Sequence, residues 1–149
     1  MKKLNYILIA LSFVAMANCS GCKTKVKPVS ELIAKVWSAQ KVEEGSAVVF
    51  TRGAATNVRA GYTNFRLDLT NATTVSYRDW DNTSFSGQWE LQGDTRLVLK
   101  NLTPVPTGTT GTIEFTISPT PTESEFIITR TTGNQKTGGT VNKYTLSNP

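Results

Sequence analysis

Apolar side chains recur at every second position in one short segment after another, and this period constrains the fold more than any other feature of the chain. Ile113, Phe115 and Ile117 alternate with Thr112, Glu114 and Thr116, and Phe65, Leu67 and Leu69 alternate with Asn64, Arg66 and Asp68. Val75 and Tyr77 alternate with Thr74, Ser76 and Arg78; Phe85, Gly87, Trp89 and Leu91 share a face, as do Leu97 and Leu99. Successive residues of a strand point to opposite faces, so the pattern describes strands with one buried and one wet side, the mark of antiparallel sheet. The 23 threonines that follow Cys22 fit the wet side. A β-branched polar side chain suits a pleated surface and loses rotamer freedom in a helix.

Nine segments read as strands: 36–43, 47–52, 62–69, 74–79, 85–92, 96–101, 112–118, 125–131 and 141–146. Turn residues separate them, as at Glu44-Gly45, Gln92-Gly93-Asp94, Pro119-Thr120-Pro121 and Gly133 to Gly139. No crossover helix lies between them, so consecutive strands are expected to pair as an up-and-down meander. Closing it into a barrel of eight to nine strands removes exposed edges. The expected fold class is therefore all-β. One short helix is expected from Ser30, its N-cap, to Lys35; five or six residues need tertiary docking to persist, which makes it a lid or plug.

Alternate connections of a meander lie at one end. Those at 53–61, 80–84, 102–111 and 132–140 are long and those at 44–46, 70–73, 93–95 and 119–124 mostly shorter, so one end is expected to be loop-rich. The same parity puts the first strand's start, with the helix, at that loop-rich end. If 36–52 is instead one bulged strand, the count is eight and the helix moves to the opposite end.

The N-terminus has its own logic. Lys2 and Lys3 precede a 12-residue apolar run from Tyr6 to Ala17 and then Asn18, Cys19, Ser20, Gly21 and Cys22. This is the order of a secretory signal peptide, and the run is short of the ~20 residues that span a bilayer. Cys19-Ser20-Gly21-Cys22 resembles the lipobox of bacterial lipoproteins, which implies cleavage and acylation at Cys22, with Cys19 as the alternative. The expected organisation is a signal peptide over 1–21, an acylated cysteine and basic tether over 22–29, and a barrel domain over 30–149. The lipoprotein resemblance, with Lys23 next to the cysteine, implies anchorage through an N-terminal lipid to the outer membrane, facing the periplasm. A disulfide between Cys19 and Cys22 would staple only a cleaved or flexible segment. Removing Lys2 and Lys3 takes the net charge from +5 to +3, no signature of nucleic-acid binding.

Leu32-Ile33-Ala34-Lys35-Val36-Trp37, the meander, and Gly87-Gln88-Trp89-Glu90-Leu91 with Gly93-Asp94 resemble the small lipocalin-like lipoproteins of Gram-negative bacteria. In lipocalins a glycine stands two residues before this tryptophan; here it is Lys35. The resemblance implies a barrel of about eight strands and a small apolar ligand.

Catalytic chemistry has few candidates. The chain has no histidine, no cysteine after Cys22 and no Gly-x-Ser-x-Gly elbow, so no nucleophile with its base is expected, and neither is an enzyme or a cofactor. Glu43 and Glu44 are adjacent and would face opposite ways. Gly133 to Gly139 precedes no helix that could bind phosphate. Asp79-Trp80-Asp81-Asn82 gathers oxygens but lacks the spaced ligands of a calcium loop, and reads as a solvated turn with no metal. Trp80, an aromatic in that turn, is the candidate partner contact. Trp37, Phe65, Tyr77, Trp89, Phe115 and Tyr144 are the candidate ligand-binding set, and are bulky enough to fill a barrel of this size themselves. Two functions follow: a lipid-anchored module that binds a small apolar molecule, or a structural or interaction lipoprotein, an accessory subunit or inhibitor of an envelope hydrolase, that uses its long loops. No particular protein partner is indicated.

Overall fold

The computed structural model describes residues 26–149; Cys19, Cys22 and the leader lie outside the described residues. A helix α1 (Val29–Ile33) leads into β1 (Val36–Glu44), β2 (Ala47–Thr51), β3 (Arg66–Asp68), β4 (Thr74–Arg78), β5 (Ser84–Gln92), β6 (Arg96–Thr103), β7 (Ile113–Ile117), β8 (Glu125–Arg130) and β9 (Asn142–Ser147). Every neighbouring pair is antiparallel, and β1 also pairs with β9, with Ala39 opposite Leu146 and Glu44 opposite Asn142. β1 and β3 to β9 thus close an eight-strand barrel, and β2 is one strand more.

The extra strand corrects the parity argument. β2 pairs with the upper part of β1 (Lys41 opposite Thr51) and β3 with its lower part (Val36 opposite Asp68), both antiparallel to it. β2 and β3 therefore run the same way, with 52–65 looping out between them. The consequence is that 45–46, 52–65, 79–83, 104–112 and 131–141 share one end, while α1 stands at the other with 69–73, 93–95 and 118–124. The helix lies at the tight end, not the loop-rich one.

The loop also covers the free edge of β2. Thr51 N–H donates to Asn57 Oδ1 at 2.7 Å, Asn57 Nδ2 donates to Thr51 O at 3.1 Å, and Arg59 N–H donates to Val49 O at 3.0 Å. An unpaired strand edge is a template for another chain, and these bonds occupy it. The segment expected as a strand over 62–69 is shorter: Ala60–Asn64 is a 3-10 turn that brings Tyr62 inward, fully buried, before β3 begins.

A β-bulge shapes β1. Its register with β9 slips between Ala39 and Lys41, so Trp37 and Ala39 face inward, Gln40 is absorbed, and Val42 and Glu44 face inward after it. The register slips again between β5 and β6 and between β1 and β2, while Val75 and Tyr77, Ile113, Phe115 and Ile117, and Phe126 and Ile128 keep the alternation and are all buried in one core. Burying each such side chain contributes roughly 1.5–3 kcal/mol.

α1 is the expected plug, with one difference: Pro28 occupies the N-cap position, and its carbonyl accepts from Glu31 and Leu32 N–H. Ser30 lies inside the helix. Val29 and Ile33 enter the core, and Trp37 Nε1 donates to Ile33 O at 2.9 Å, so one indole both fills the tight end and satisfies a terminal helix carbonyl.

Candidate functional site

The six candidate ligand residues are all buried, and mostly against one another. Phe65 stacks on Tyr144 with ring centroids 5.0 Å apart and meets Tyr77 edge-on at 5.6 Å; Phe115 meets Tyr144 at 6.1 Å. These are the separations of aromatic pairs in packed cores. Trp37 stands apart, 5.3 Å from Phe126 at the tight end. Trp89 ties its Nε1 to Asn71 O at 2.8 Å and borders an open surface groove of about 460 Å³ beside Ser30 and Leu91. A larger groove of about 570 Å³ crosses the outer face of β4 to β6 and is lined by polar residues such as Asn71, Ser76, Gln88 and Asn101. The set is therefore core packing, with one member at a groove's rim.

The loop-rich end is sealed differently. The β1 bulge turns Glu44 inward, where Arg59 grips its carboxylate in two bonds, Nε to Oε1 at 2.6 Å and Nη2 to Oε2 at 3.0 Å. Tyr62 Oη donates to Glu44 Oε1 at 3.0 Å. Asn142 Nδ2 donates to the hydroxyl oxygens of Tyr62 and Tyr144, each at 3.3 Å, and its Oδ1 accepts from Thr137 and Thr140 at 3.1 and 2.8 Å. The chain of bonds runs from β1 across the 3-10 turn to β9, and a fully paired polar network of this kind fixes one arrangement of the groups it joins. Burial, followed by neighbouring charge, holds the Tyr62 and Tyr77 hydroxyls well above the ordinary tyrosine value and pushes Tyr144 up to about 12.

The Asp79–Asn82 turn is solvated only in part: Asp81 and Asn82 are exposed as expected, and Asp79 is not. Asp79 is 3% exposed, and Lys136 places its ammonium 2.8 Å from Asp81 Oδ2 and 3.5 Å from Asp79 Oδ2, also facing the Phe85 ring at 5.3 Å. A protein cation thus sits between the carboxylates. Partial burial would raise the Asp81 carboxyl, but its bonds to Lys136 and Thr83 outweigh it and the group is lowered. Trp80 is half-buried, its ring under the Arg59 guanidinium at 4.5 Å and 6.3 Å from Tyr62. It is part of the seal, not a free-standing side chain.

Sequence reasoning weighed Glu44 only as half of an adjacent pair with Glu43, and passed over Arg59, Lys136 and Asn142. The spacing of Trp37, Ala39 and Val42, two and then three, is the trace of the bulge that internalises Glu44. Nothing local marks Arg59, Lys136 or Asn142, whose roles arise from strands and loops meeting at one end. Val48, Val58, Val105 and Val141 are exposed there. The chain matches no protein-family model, no curated protein and no solved structure.

Proposed function

We propose that this chain is a lipid-anchored, lipocalin-like lipoprotein of the bacterial envelope whose barrel acts as an interaction module, offering its loop-rich end to a protein partner. One observation carries the reading: α1 closes the tight end, and of the exposed large apolar side chains among the described residues only Val26, on the tether, lies there, while Val48, Val58, Val105 and Val141 stand at the other end. With a lipid on Cys22, the six residues 23–28 reach about 20 Å at most, so the tight end lies near the bilayer and the loops face away from it. Four exposed apolar side chains, three on membrane-distal loops and Val48 on β2 beside them, suit contact with protein. The mutual packing of Phe65, Tyr77, Phe115 and Tyr144 favours an outer surface over an internal ligand as the working part.

Photo-crosslinking residues placed at Val58, Val105 and Val141, and in parallel at Asp94 and Thr120, test this in intact envelopes. Protein adducts confined to the first three are expected; adducts confined to Asp94 and Thr120 would reverse the orientation. Palmitate labelling lost in Cys22→Ser is the expected sign of the anchor, and labelling that persists moves it to Cys19. A co-purifying apolar mass released by organic extraction would restore the internal-ligand function.

A further inference from the structure

Arg130 ends β8 opposite Phe115, on the inward face begun by Phe126 and Ile128, and is 5% exposed. Among the described residues the nearby carboxylates are committed elsewhere: Glu44 to Arg59 and Tyr62, Asp79 and Asp81 to Lys136. Arg130 Nε is wholly buried with no acceptor. A guanidinium stays charged at any pH a protein survives, and a buried charge without a hydrogen-bonded partner is among the costliest groups to keep. Two other buried donors of this end, Asn134 Nδ2 and Trp80 Nε1, also lack acceptors. All three are N–H groups, so the loop-rich end carries a surplus of donors.

We propose that Arg130 anchors a binding site for a small carboxylate inside the loop-rich mouth. The class follows from charge and shape. The interior favours a single charge, because a phosphate dianion would bring a second charge to be desolvated. Nε lacks a directional acceptor, and the planar fork of a guanidinium matches the two oxygens of a carboxylate. The Tyr77 and Tyr144 hydroxyls, raised chiefly by burial, also feel the Arg130 charge, which places two further hydroxyls within its field. Lys136 spans from the 131–141 loop to the 79–83 turn at the same end. This site stands whether or not the loops bind a partner.

The test is the ¹H–¹⁵N resonance of Arg130 Nε in the full chain, assigned by its loss in Arg130→Lys and titrated with sodium acetate against sodium chloride of equal ionic strength. Saturable movement in acetate alone is expected, with an acetate-dependent rise in Tm that Arg130→Met weakens by about tenfold or more in apparent affinity. Equal movement in acetate and chloride would overturn the proposal, as would an acetate-dependent rise in Tm unchanged in Arg130→Met. Phosphate binding more tightly than acetate would overturn the monoanion assignment.

Discussion

At one end of the barrel Trp37 lies 5.3 Å from Phe126 and is tied to α1 by a single bond, surrounded by Val29 and Ile33. At the other, Glu44, Arg59, Tyr62, Asn142, Thr137 and Thr140 are joined by hydrogen bonds between 2.6 and 3.3 Å. The first seal is held by non-directional burial and tolerates small shifts of its parts. The second is directional: each group depends on a partner brought from a distant segment, and removing one leaves another buried and unpaired. The apolar seal supplies stability beside the proposed anchor, and the polar seal fixes the shape of the proposed contact end.

The comparison breaks most sharply at Trp37. Trp37→Ala empties the tight end and is expected to cost about 3–5 kcal/mol in denaturant unfolding. A loss under about 1 kcal/mol would mean that α1 is a loose cover and that the two ends do not differ as described.

Alkali should attack the other end first. Tyr62, Tyr77 and Tyr144 are the described tyrosines, and all are raised by burial, Tyr144 to about 12. A raised phenol retains its proton in the folded state after the unfolded chain has lost it. Its contribution is therefore complete below pH 10 and lost as the pH rises through about 12. Tyr144 alone would carry about 2–3 kcal/mol across that window. Hydrogen exchange above pH 10 should open 131–141 before α1, and Tyr144→Phe should flatten the loss; simultaneous opening of both ends would merge them into one unit.

Glu44→Ala comes next. It strands Arg59 and the Tyr62 hydroxyl, and because the Arg59 side chain is 27% exposed the expected cost is about 1–3 kcal/mol, below that of a fully buried pair. Adding Arg59→Ala should recover part of it, and strict additivity in the double-mutant cycle would show that the pair is uncoupled.

The difference between the ends also explains what could be read from sequence. Ile113, Phe115 and Ile117 announced their inward face because period two is a local property, and Phe126, Ile128 and Arg130 carried the same signal, which places a charge inside. The short helix was legible as a lid or plug, and Trp37, a candidate ligand contact, as a side chain bulky enough to fill the barrel, since an apolar seal needs only apolar residues in the right segment. The polar seal was not: Glu44 turns inward only through a one-residue bulge at Gln40, and that slip inverts every side chain after it. The direction of β3 was hidden likewise, because a looped-out 52–65 reads as one more hairpin until both β2 and β3 are seen on the same edge of β1. Tyr77 and Tyr144 could be assigned to the core as aromatics, but their hydroxyl partners come from loops remote in sequence.

The smallest expected effect belongs to a charged cluster at the tight end. Glu123 accepts from Lys27 and Lys35, and those hydrogen bonds hold its carboxyl down at about 2. A depressed carboxylate contributes above its unfolded value of 4.5, and the contribution is lost as the pH falls through about 2. The Glu123 side chain is 56% exposed, so solvent and salt screen the cluster and Glu123→Gln should shift the acid unfolding midpoint only slightly, less still at high salt. Its clearer readout is local, because Lys27 sits where the chain leaves the domain toward Cys22. Glu123→Gln should speed amide exchange around 27–35 at neutral pH without touching 131–141. Faster exchange at the loop-rich end as well would show that the two seals are mechanically coupled, and that holding the tether helps to hold the mouth.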